Sequence, residues 1–280
     1  MKIMLSGGRI LSTERRSLVM GILNTTPDSF YAGSRKPELS EGLESARQMI
    51  DAGAEIIDIG GESTRPGASY IDADEEIRRV VPLIKAIRGF SDIAISIDTR
   101  KSETAEAAIR AGADIINDIS ALKDDTELGL VAATYDVPVV LMHKRGTPDT
   151  MQLNPRYTDV LEEILNELEL CIGRAHSFGI KQDRIIIDPG IGFGKRLEDN
   201  LLILNNLGRF KALGYKMLIG LSRKSFLGAI TGAPVEDRLS GSLAANMYAV
   251  MNGADILRVH DVTDTVRMLD ILSAIEGAGH

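Results

Sequence analysis

Short β-branched apolar runs alternate along the chain with longer segments whose apolar residues recur every three to four positions. Each run ends on polar residues, and the eight runs cover positions 19–24, 56–62, 95–98, 115–118, 139–143, 185–188, 218–222 and 256–260. Compact apolar runs predict buried strands, and a period near 3.6 predicts amphipathic helices. Strict alternation of the two predicts parallel strands joined by crossover helices.

Eight such strands predict a closed (β/α)8 barrel, the TIM-barrel architecture, which takes about 250 residues. We therefore expect the 280 residues to form a single domain, 1–280. Three helix-to-strand joins are nearly the same text, DAGAEII at 51–57, RAGADII at 110–116 and MNGADIL at 251–257, which favours the regular alternation over an open doubly wound sheet. The glycine in each join is expected at the position just after a helix end. Helices are expected at 40–52, 73–88, 102–111, 126–134, 160–178, 197–213, 240–251 and 263–276.

Three other segments add to this plan. Residues 1–17 carry apolar runs on both sides of Gly7 and Gly8, which predicts a β-hairpin that could plug the barrel bottom. Segments 25–37 and 63–70 follow the first two strands and mix proline, aromatic and charged residues. Long loops at the catalytic end of a barrel are usually functional, so we expect two mobile loops there rather than plain surface connections.

The composition and charge of the chain reduce the number of functions that we expect for it. The chain has 44% apolar and 26% charged residues with a net charge of −8, so a general electrostatic attraction to nucleic acid is not expected. Cys171 is the one cysteine, which excludes an internal disulfide. No apolar run approaches the ~20 residues that span a bilayer, and the start lacks the pattern of a signal peptide, so a cytoplasmic location is expected. The four histidines form no metal-ligand spacing.

Polar residues at the strand ends are candidate site residues because barrel active sites lie at the carboxyl ends of the strands. Asp98 could instead cap the helix that follows it. Parity does not decide whether Asn117 or Asp118 faces the barrel interior. Arg258 and His260 are two apart and should point to the same side, although an ion pair with a neighbouring aspartate is the alternative for Arg258.

Seven segments, in order, resemble the signatures of the dihydropteroate synthase family: MGILNTTPDSF at 20–30, GGESTRPG at 60–67, SIDT at 96–99, INDI at 116–119, DPGIGFGK at 188–195, GLSRKS at 220–225 and RVHD at 258–261. The resemblance implies a transferase that joins 6-hydroxymethyl-7,8-dihydropterin pyrophosphate to p-aminobenzoate in folate biosynthesis. It also implies a dissociative course, in which pyrophosphate leaves before the arylamine attacks.

The resemblance assigns roles to individual residues and implies a homodimer with Mg²⁺ as cofactor. Pterin contacts fall to Asp98, Asn117, Met142, Asp188 and Lys224; pyrophosphate contacts to Asn24, Thr64, Arg65, Arg258 and His260; p-aminobenzoate contacts to Pro27, Phe30, Phe193 and Ser225. Asn24 is the implied metal ligand. Asp28, Thr64, Arg65 and Lys224 are the implied catalytic residues.

Two other functions are alternatives to this one. A strand-end lysine suggests a Schiff-base aldolase, but Lys224 lies beside Arg223 in a loop rather than in an apolar strand. A pterin-binding methyltransferase of a corrinoid system would share the acceptors but would not need the 20–30 or 220–225 segments. The chain departs from the family pattern at residues 31–34 and at Lys144 and Arg145, which leaves the loops there less defined.

Overall fold

Eight parallel strands close into a barrel in the computed structural model, which describes residues 2–14, 16–25, 35–62, 70–146 and 155–278. The last barrel strand pairs with the first, so the predicted (β/α)8 fold is confirmed. The strands are β1 (Lys2–Met4), β2 (Ile10–Ser12), β3 (Leu18–Asn24), β4 (Ile56–Gly60), β5 (Ala94–Asp98), β6 (Ile115–Asp118), β7 (Val139–Met142), β8 (Ile185–Asp188), β9 (Lys216–Ile219) and β10 (Ile256–Val259), of which β3 to β10 form the barrel.

Helices follow the barrel strands in the predicted order, with three differences, the first being that the helix after β3 begins at Arg35, inside the loop predicted over 25–37. They are α1 (Arg35–Asp51), α2 (Ala73–Arg88), α3 (Ser102–Ala111), α4 (Glu127–Tyr135), α5 (Val160–Ser177), α6 (Leu197–Asn205), α7 (Leu207–Lys211), α8 (Ser225–Thr231), α9 (Leu239–Met251) and α10 (Val262–Gly277). The continuous helix predicted over 197–213 was wrong, because Asn206 interrupts it with φ −125° and ψ 24°. The short helix α8 was not predicted.

The interruption has a local cause. The Asn206 side chain donates from Nδ2 to the carbonyl oxygen of Leu202 at 2.8 Å, so it occupies an acceptor that the helix backbone would otherwise use. Asparagine competes with the backbone in this way and is disfavoured inside helices. The apolar period continues across the break, which is why the sequence pattern alone predicted one helix.

The three repeated joins behave as the sequence predicted. Gly53, Gly112 and Gly253 have φ of 92°, 119° and 99°, the left-handed region that favours glycine. At Gly112 a Cβ atom would also lie 2.8 Å from Cγ of Arg88. Any other residue at position 112 would therefore be strained and would displace the side chain that packs over it.

Apolar side chains fill the barrel from the bottom. One buried cluster lies between the barrel and its helices, and a second lies inside the barrel at its amino-terminal end. The hairpin of β1 and β2 pairs Ile3 with Leu11, and Ile3 and Leu5 pack into the inner cluster against Met20 and Ile256. The predicted plug is therefore confirmed. Within the described ranges, no helix is both long enough and apolar enough to span a membrane.

Candidate active site

A row of polar side chains crosses four neighbouring strands at the carboxyl end of the barrel. In register, Asn24 lies beside Gly60, Gly60 beside Asp98, and Asp98 beside Asn117. A Cβ atom on Gly60 would lie 3.3 Å from Oδ1 of Asn24 and 3.6 Å from Cβ of Asp98. Glycine at this strand end therefore leaves room for both side chains, and the candidates predicted on separate strands come together.

Arg258 lies at the centre of this end of the barrel. Its Nε donates to Oδ2 of Asp58 at 2.6 Å, and its Nη2 donates to Oδ2 of Asp98 at 2.6 Å. Burial raises the pKa of Asp98 to about 7, and the positive charge of Arg258 opposes that rise. The ion-pair alternative for Arg258 is thus correct, with two aspartates rather than one.

The interior position belongs to Asn117. Its Nδ2 donates to Oδ2 of Asp58 at 3.1 Å, whereas Asp118 accepts from the backbone N–H groups of Ser120 and Leu122 at 2.7 and 2.6 Å. Asp118 therefore shapes the turn after β6 and does not face the pocket.

Asp98 does not cap the helix that follows it, which was its alternative role. The first N–H of α3, at Ser102, donates instead to Oδ2 of Asp125 at 2.7 Å. The carboxylate of Asp98 is paired with Arg258 in the barrel, as described above. Its position at the end of β5 therefore serves the site rather than the helix.

Asp188 ends β8 and is tied to the glycine-rich segment that follows. Its Oδ1 accepts from the N–H of Gly190 at 2.7 Å. Burial raises the pKa of Asp188, and the charge of Lys224 opposes that rise. Gly190 has φ 69°, and a Cβ atom there would lie 1.9 Å from the carbonyl oxygen of His143, so only glycine fits.

Lys195, at the end of the same segment, is a buried side chain that sequence reasoning missed. Its Nζ donates to the carbonyl oxygens of Gly190 at 2.8 Å, Phe193 at 3.0 Å and His143 at 3.3 Å. Burial lowers the pKa of Lys195 to about 7, with Asp188 opposing. Three carbonyls around one ammonium group hold the loop in a single shape.

Lys224 and Phe193 lie together above Asp188. The Lys224 ammonium donates to the carbonyl oxygen of Ile191, and its Nζ lies 4.8 Å from the centroid of the Phe193 ring. Burial lowers the pKa of Lys224 to about 8, while Asp188 acts in the opposite direction. Phe193 is half-buried and lies outside the apolar core clusters, so it is available to the site.

The remaining candidates lie nearer the surface. Ser225 is exposed at the first position of α8, and His260 is exposed just beyond β10, with Nδ1 3.1 Å from Oγ of Ser222. Arg223 pairs with Asp261 through two nitrogens, at 3.0 and 2.6 Å, which is the loop-supporting contact expected of it. The other candidates, Pro27, Asp28, Phe30, Thr64 and Arg65, lie outside the described residues, so their roles stay predictions.

The exposure of the site side chains increases from the bottom of the pocket to its rim. Asn117, Met142 and Asp188 are 3%, 4% and 6% exposed, whereas Ser225 and His260 are exposed. In the part of the chain that the structure describes, no group of three or more His, Cys, Asp or Glu side chains could hold a metal ion. The deep part of the site therefore offers hydrogen-bond acceptors and cations beneath a more open rim.

Comparison with known proteins identifies the family. The family model described as pterin binding enzyme matches residues 20–260. The chain is 47% identical over 270 residues to the dihydropteroate synthase of Clostridium beijerinckii, with 95% of this chain and 98% of the relative covered. It is 45% identical over 269 residues to that of Bacillus subtilis, with 96% and 92% covered. The chain belongs to the dihydropteroate synthase family.

Solved structures of synthases have the same fold. The Yersinia pestis dihydropteroate synthase, solved as a sulfonamide drug complex, matches with a TM-score of 0.92 at 40% identity, over 99% of this chain and 100% of that one. The Xanthomonas albilineans synthase with 4-aminobenzoic acid matches with a TM-score of 0.92 at 41% identity, over 99% of both chains. These relatives favour the synthase over the corrinoid methyltransferase and over the aldolase.

None of the dihydropteroate synthase signatures contains Asp58, and the roles assigned from them leave out Lys195, although it ends the segment 188–195. Asp58 interrupts the apolar run Ile56-Ile57-Asp58-Ile59 of β4, and only the last polar residues of each run were taken as candidates. A buried carboxylate within a strand needs a partner, and that rule would have marked Asp58. Lys195 closes a glycine-rich segment, and the sequence carries no signal that its ammonium group turns inward.

Proposed function

We propose that Asp98, Asn117 and Asp188 bind the pterin ring in the dihydropteroate synthase reaction, which joins the dihydropterin pyrophosphate to p-aminobenzoate and releases pyrophosphate. The observation that carries this proposal is the convergence of these three acceptors, from β5, β6 and β8, on one buried end of the barrel. A pterin presents N–H donors along one edge, and buried acceptors without donors are costly. Met142, in register beside Asp188, supplies apolar surface for the ring.

Cations near the rim suit the pyrophosphate group. Arg258 uses Nε and Nη2 for aspartates, and within the described residues its Nη1 has no hydrogen-bond partner, so it can donate to a phosphate oxygen. His260 lies above it and is exposed. Thr64 and Arg65 complete this group in the proposal, on the basis of the family signature alone.

The fit of Mg²⁺ follows from its chemistry. Mg²⁺ prefers few protein oxygens, several waters and substrate phosphates. The amide oxygen of Asn24 lies at the carboxyl end of β3, beside Gly60, and the described residues hold no cluster of acidic ligands that would favour an enclosed metal site. Asn24 would hold the ion, which would neutralise charge on the leaving pyrophosphate.

A dissociative course suits the described groups. Since the arylamine is already neutral, the reaction needs stabilisation of separated charges more than it needs a strong base. With the pterin bound as proposed, Asp98 and Asp188 would lie beside the developing positive charge, and Lys224, whose Nζ is 4.8 Å from the centroid of the Phe193 ring, would donate to a ring heteroatom. Pro27, Phe30 and Phe193 would line the p-aminobenzoate ring, with Ser225 at its carboxylate. Asp28 would support the developing pterin cation.

A homodimer is proposed from the apolar surface of the late helices. Ile230 of α8 and Met247, Tyr248 and Met251 of α9 are exposed large apolar side chains, and a groove of about 380 Å³ lined by α6, α8 and α9 lies among them. Apolar patches of this kind mark protein interfaces. Sedimentation of the purified protein with and without Ile230→Asp would test it, a dimer and a monomer being expected. The cytoplasmic location stays a prediction from sequence.

The reaction is tested by pyrophosphate release from the dihydropterin pyrophosphate, with and without p-aminobenzoate. We expect release coupled to formation of 7,8-dihydropteroate, with Mg²⁺ required. Transfer of a methyl group from methyltetrahydrofolate to a cobalamin, without pyrophosphate release, would instead support the corrinoid alternative. Lys224→Met should lower the coupled rate, whereas Lys85→Met, on the outer helix α2, should leave it unchanged.

A further inference from the structure

Asp58 joins two site residues from below. It lies in the middle of β4, is fully buried, and none of the family signatures contains it. Its Oδ2 accepts from Nδ2 of Asn117 at 3.1 Å and from Nε of Arg258 at 2.6 Å. One carboxylate oxygen therefore contacts side chains of two other barrel strands, β6 and β10.

The contact with Asn117 has a direction. A side-chain amide has a donor end and an acceptor end, and a carboxylate can only accept. Asp58 accepts from Arg258 through the same Oδ2, so the favourable orientation of Asn117 turns its NH₂ group toward that oxygen. The reverse orientation would place the amide oxygen against a carboxylate oxygen in a buried site, where such an unpaired contact is costly.

We propose that Asp58 is a positioning residue that fixes the polarity of the Asn117 amide. With its NH₂ group held from below, Asn117 presents an oxygen acceptor to the ligand and selects a ring with an N–H donor at that position. This inference rests on the proposed pterin contact of Asn117. Asp58 then governs ligand choice without touching the ligand.

A double-mutant cycle tests the connection, with 6-hydroxymethylpterin binding measured by calorimetry on Asp58→Asn, Asn117→Ala and the double variant. Asp58→Asn lets the Asn117 amide reverse, and the mismatch should weaken binding about 10-fold or more. In the Asn117→Ala background the same change should alter affinity by no more than about twofold, because coupled residues are non-additive. An equal loss in both backgrounds would overturn the inference and place the effect in Arg258 or the fold.

A failure of the proposed pterin contact of Asn117 would give a different result from a failure of the role inferred for Asp58. If Asn117→Ala alone bound the pterin normally, the pterin contact of Asn117 and the inference built on it would both fall. If Asn117→Ala bound weakly but the cycle were additive, the role of Asp58 alone would be wrong. Thermal melting of each variant shows whether the protein is folded in every arm.

The exchanged pair Asp58→Asn with Asn117→Asp provides a rescue. Because Oδ2 of Asp58 contacts both partners, the amide introduced at position 58 must turn. After that turn its NH₂ group donates to the carboxylate introduced at position 117 and its oxygen accepts from Arg258. The other oxygen of that carboxylate then accepts from the ligand, and the total charge is unchanged. Binding within about threefold of the wild-type affinity is expected, since the hydrogen-bond pattern is restored. An exchanged variant that bound no better than Asp58→Asn would contradict the proposal, even if Asp58→Asn itself were poorly folded.

Discussion

The Nζ atom of Lys195 lies 3.0 Å from Nδ1 of His143, and both side chains are almost fully buried. Below its pKa of about 7, Lys195 carries an ammonium group, which only donates, so Nδ1 of His143 accepts and the ring proton is on Nε2. Burial lowers the pKa of His143 to about 4, and the charge of Lys195 acts in the same direction. Nε2 lies 3.5 Å from Oε2 of Glu167. The lysine thus sets the tautomer of a neutral histidine and the shape of the glycine-rich loop.

Replacing this lysine should loosen the loop that carries the site. Lys195→Met leaves the carbonyl oxygens of Phe193 and His143 without their donor, while that of Gly190 still accepts from the N–H of Phe193. A single unsatisfied group costs about 1–3 kcal/mol. We expect lower thermal stability and a raised KM for both substrates, because Gly190 contacts Asp188 and Ile191 contacts Lys224. Steady-state kinetics and melting curves measure both effects.

The control is Lys216→Met, which removes another buried lysine at the opposite end of the barrel, where it pairs with Asp255 at 3.2 Å. It should lower the melting temperature while leaving both KM values near wild type. If Lys195→Met behaved in the same way, the loop would not depend on Lys195 for its shape.

The titration of Lys195 should also make the free energy of unfolding depend on pH. Burial lowers its pKa from 10.5 to about 7, so between these values the unfolded chain binds the proton and the folded chain does not. Stability from this group should therefore rise as pH increases from 7 to 10.5, by at most about 1.4 kcal/mol per pH unit. Denaturant unfolding of the wild type and Lys195→Met across this range isolates the contribution. A pH-independent difference between the two would refute it.

Asp188→Asn should weaken pterin binding while the fold survives. The amide oxygen of this variant can still accept from Gly190, which turns its NH₂ group toward the ligand donors. Such a mismatch costs about 1–3 kcal/mol, or roughly 5- to 150-fold in affinity. Calorimetry with 6-hydroxymethylpterin measures it. Asp261→Asn, which affects only the pair with Arg223, should bind within about twofold of wild type; unchanged binding by Asp188→Asn would exclude Asp188 as the anchor.

Pterin binding should weaken above a pH of about 8 because Lys224 loses its charge there. Burial lowers its pKa to about 8, against the pull of Asp188 and with some help from Arg258. Lys224→Arg stays charged throughout and should hold its affinity to higher pH, although its absolute affinity will be lower because the planar group fits differently. Titration of the ligand itself would occur with both proteins, so identical pH profiles would contradict the role of Lys224.

Asp28→Ala should slow the chemical step more than it weakens the pterin complex. The family resemblance places this carboxylate near the developing pterin cation, and an electrostatic group of this kind is worth on the order of 10²–10³ in rate. Single-turnover kinetics at saturating substrates measure the step directly. A normal rate with only a raised KM for p-aminobenzoate would leave Asp28 as a residue that shapes its loop.

Sequence reasoning found what depends on local pattern. The strand runs ended where the polar row lies, so Asn24, Asp98 and Asp188 were predicted together although no spacing along the chain connects them. Glycine at the helix ends was predicted from the repeated joins, since a left-handed residue has a recognisable sequence preference.

The features that the sequence did not predict depend on contacts across the barrel. Asp58 has one of its partners 200 residues away, at Arg258, and a strand pattern does not encode which buried polar groups meet. The choice between Asn117 and Asp118 required the direction of each side chain. The break at Asn206 depended on one side-chain hydrogen bond, which the apolar period cannot reveal.

The hairpin closes the amino-terminal end of the barrel, so the pocket opens only at the carboxyl end of the strands. Ile3 and Leu5 seal the floor, so ligands pass in and out through the rim alone. In a pocket with one opening, the ligand at the bottom must bind first and be released last. With pterin contacts proposed on buried Asn117 and Asp188 and the arylamine contact on exposed Ser225, the closed end that the hairpin forms with the inner strand residues predicts this order of exchange, far from any reacting atom.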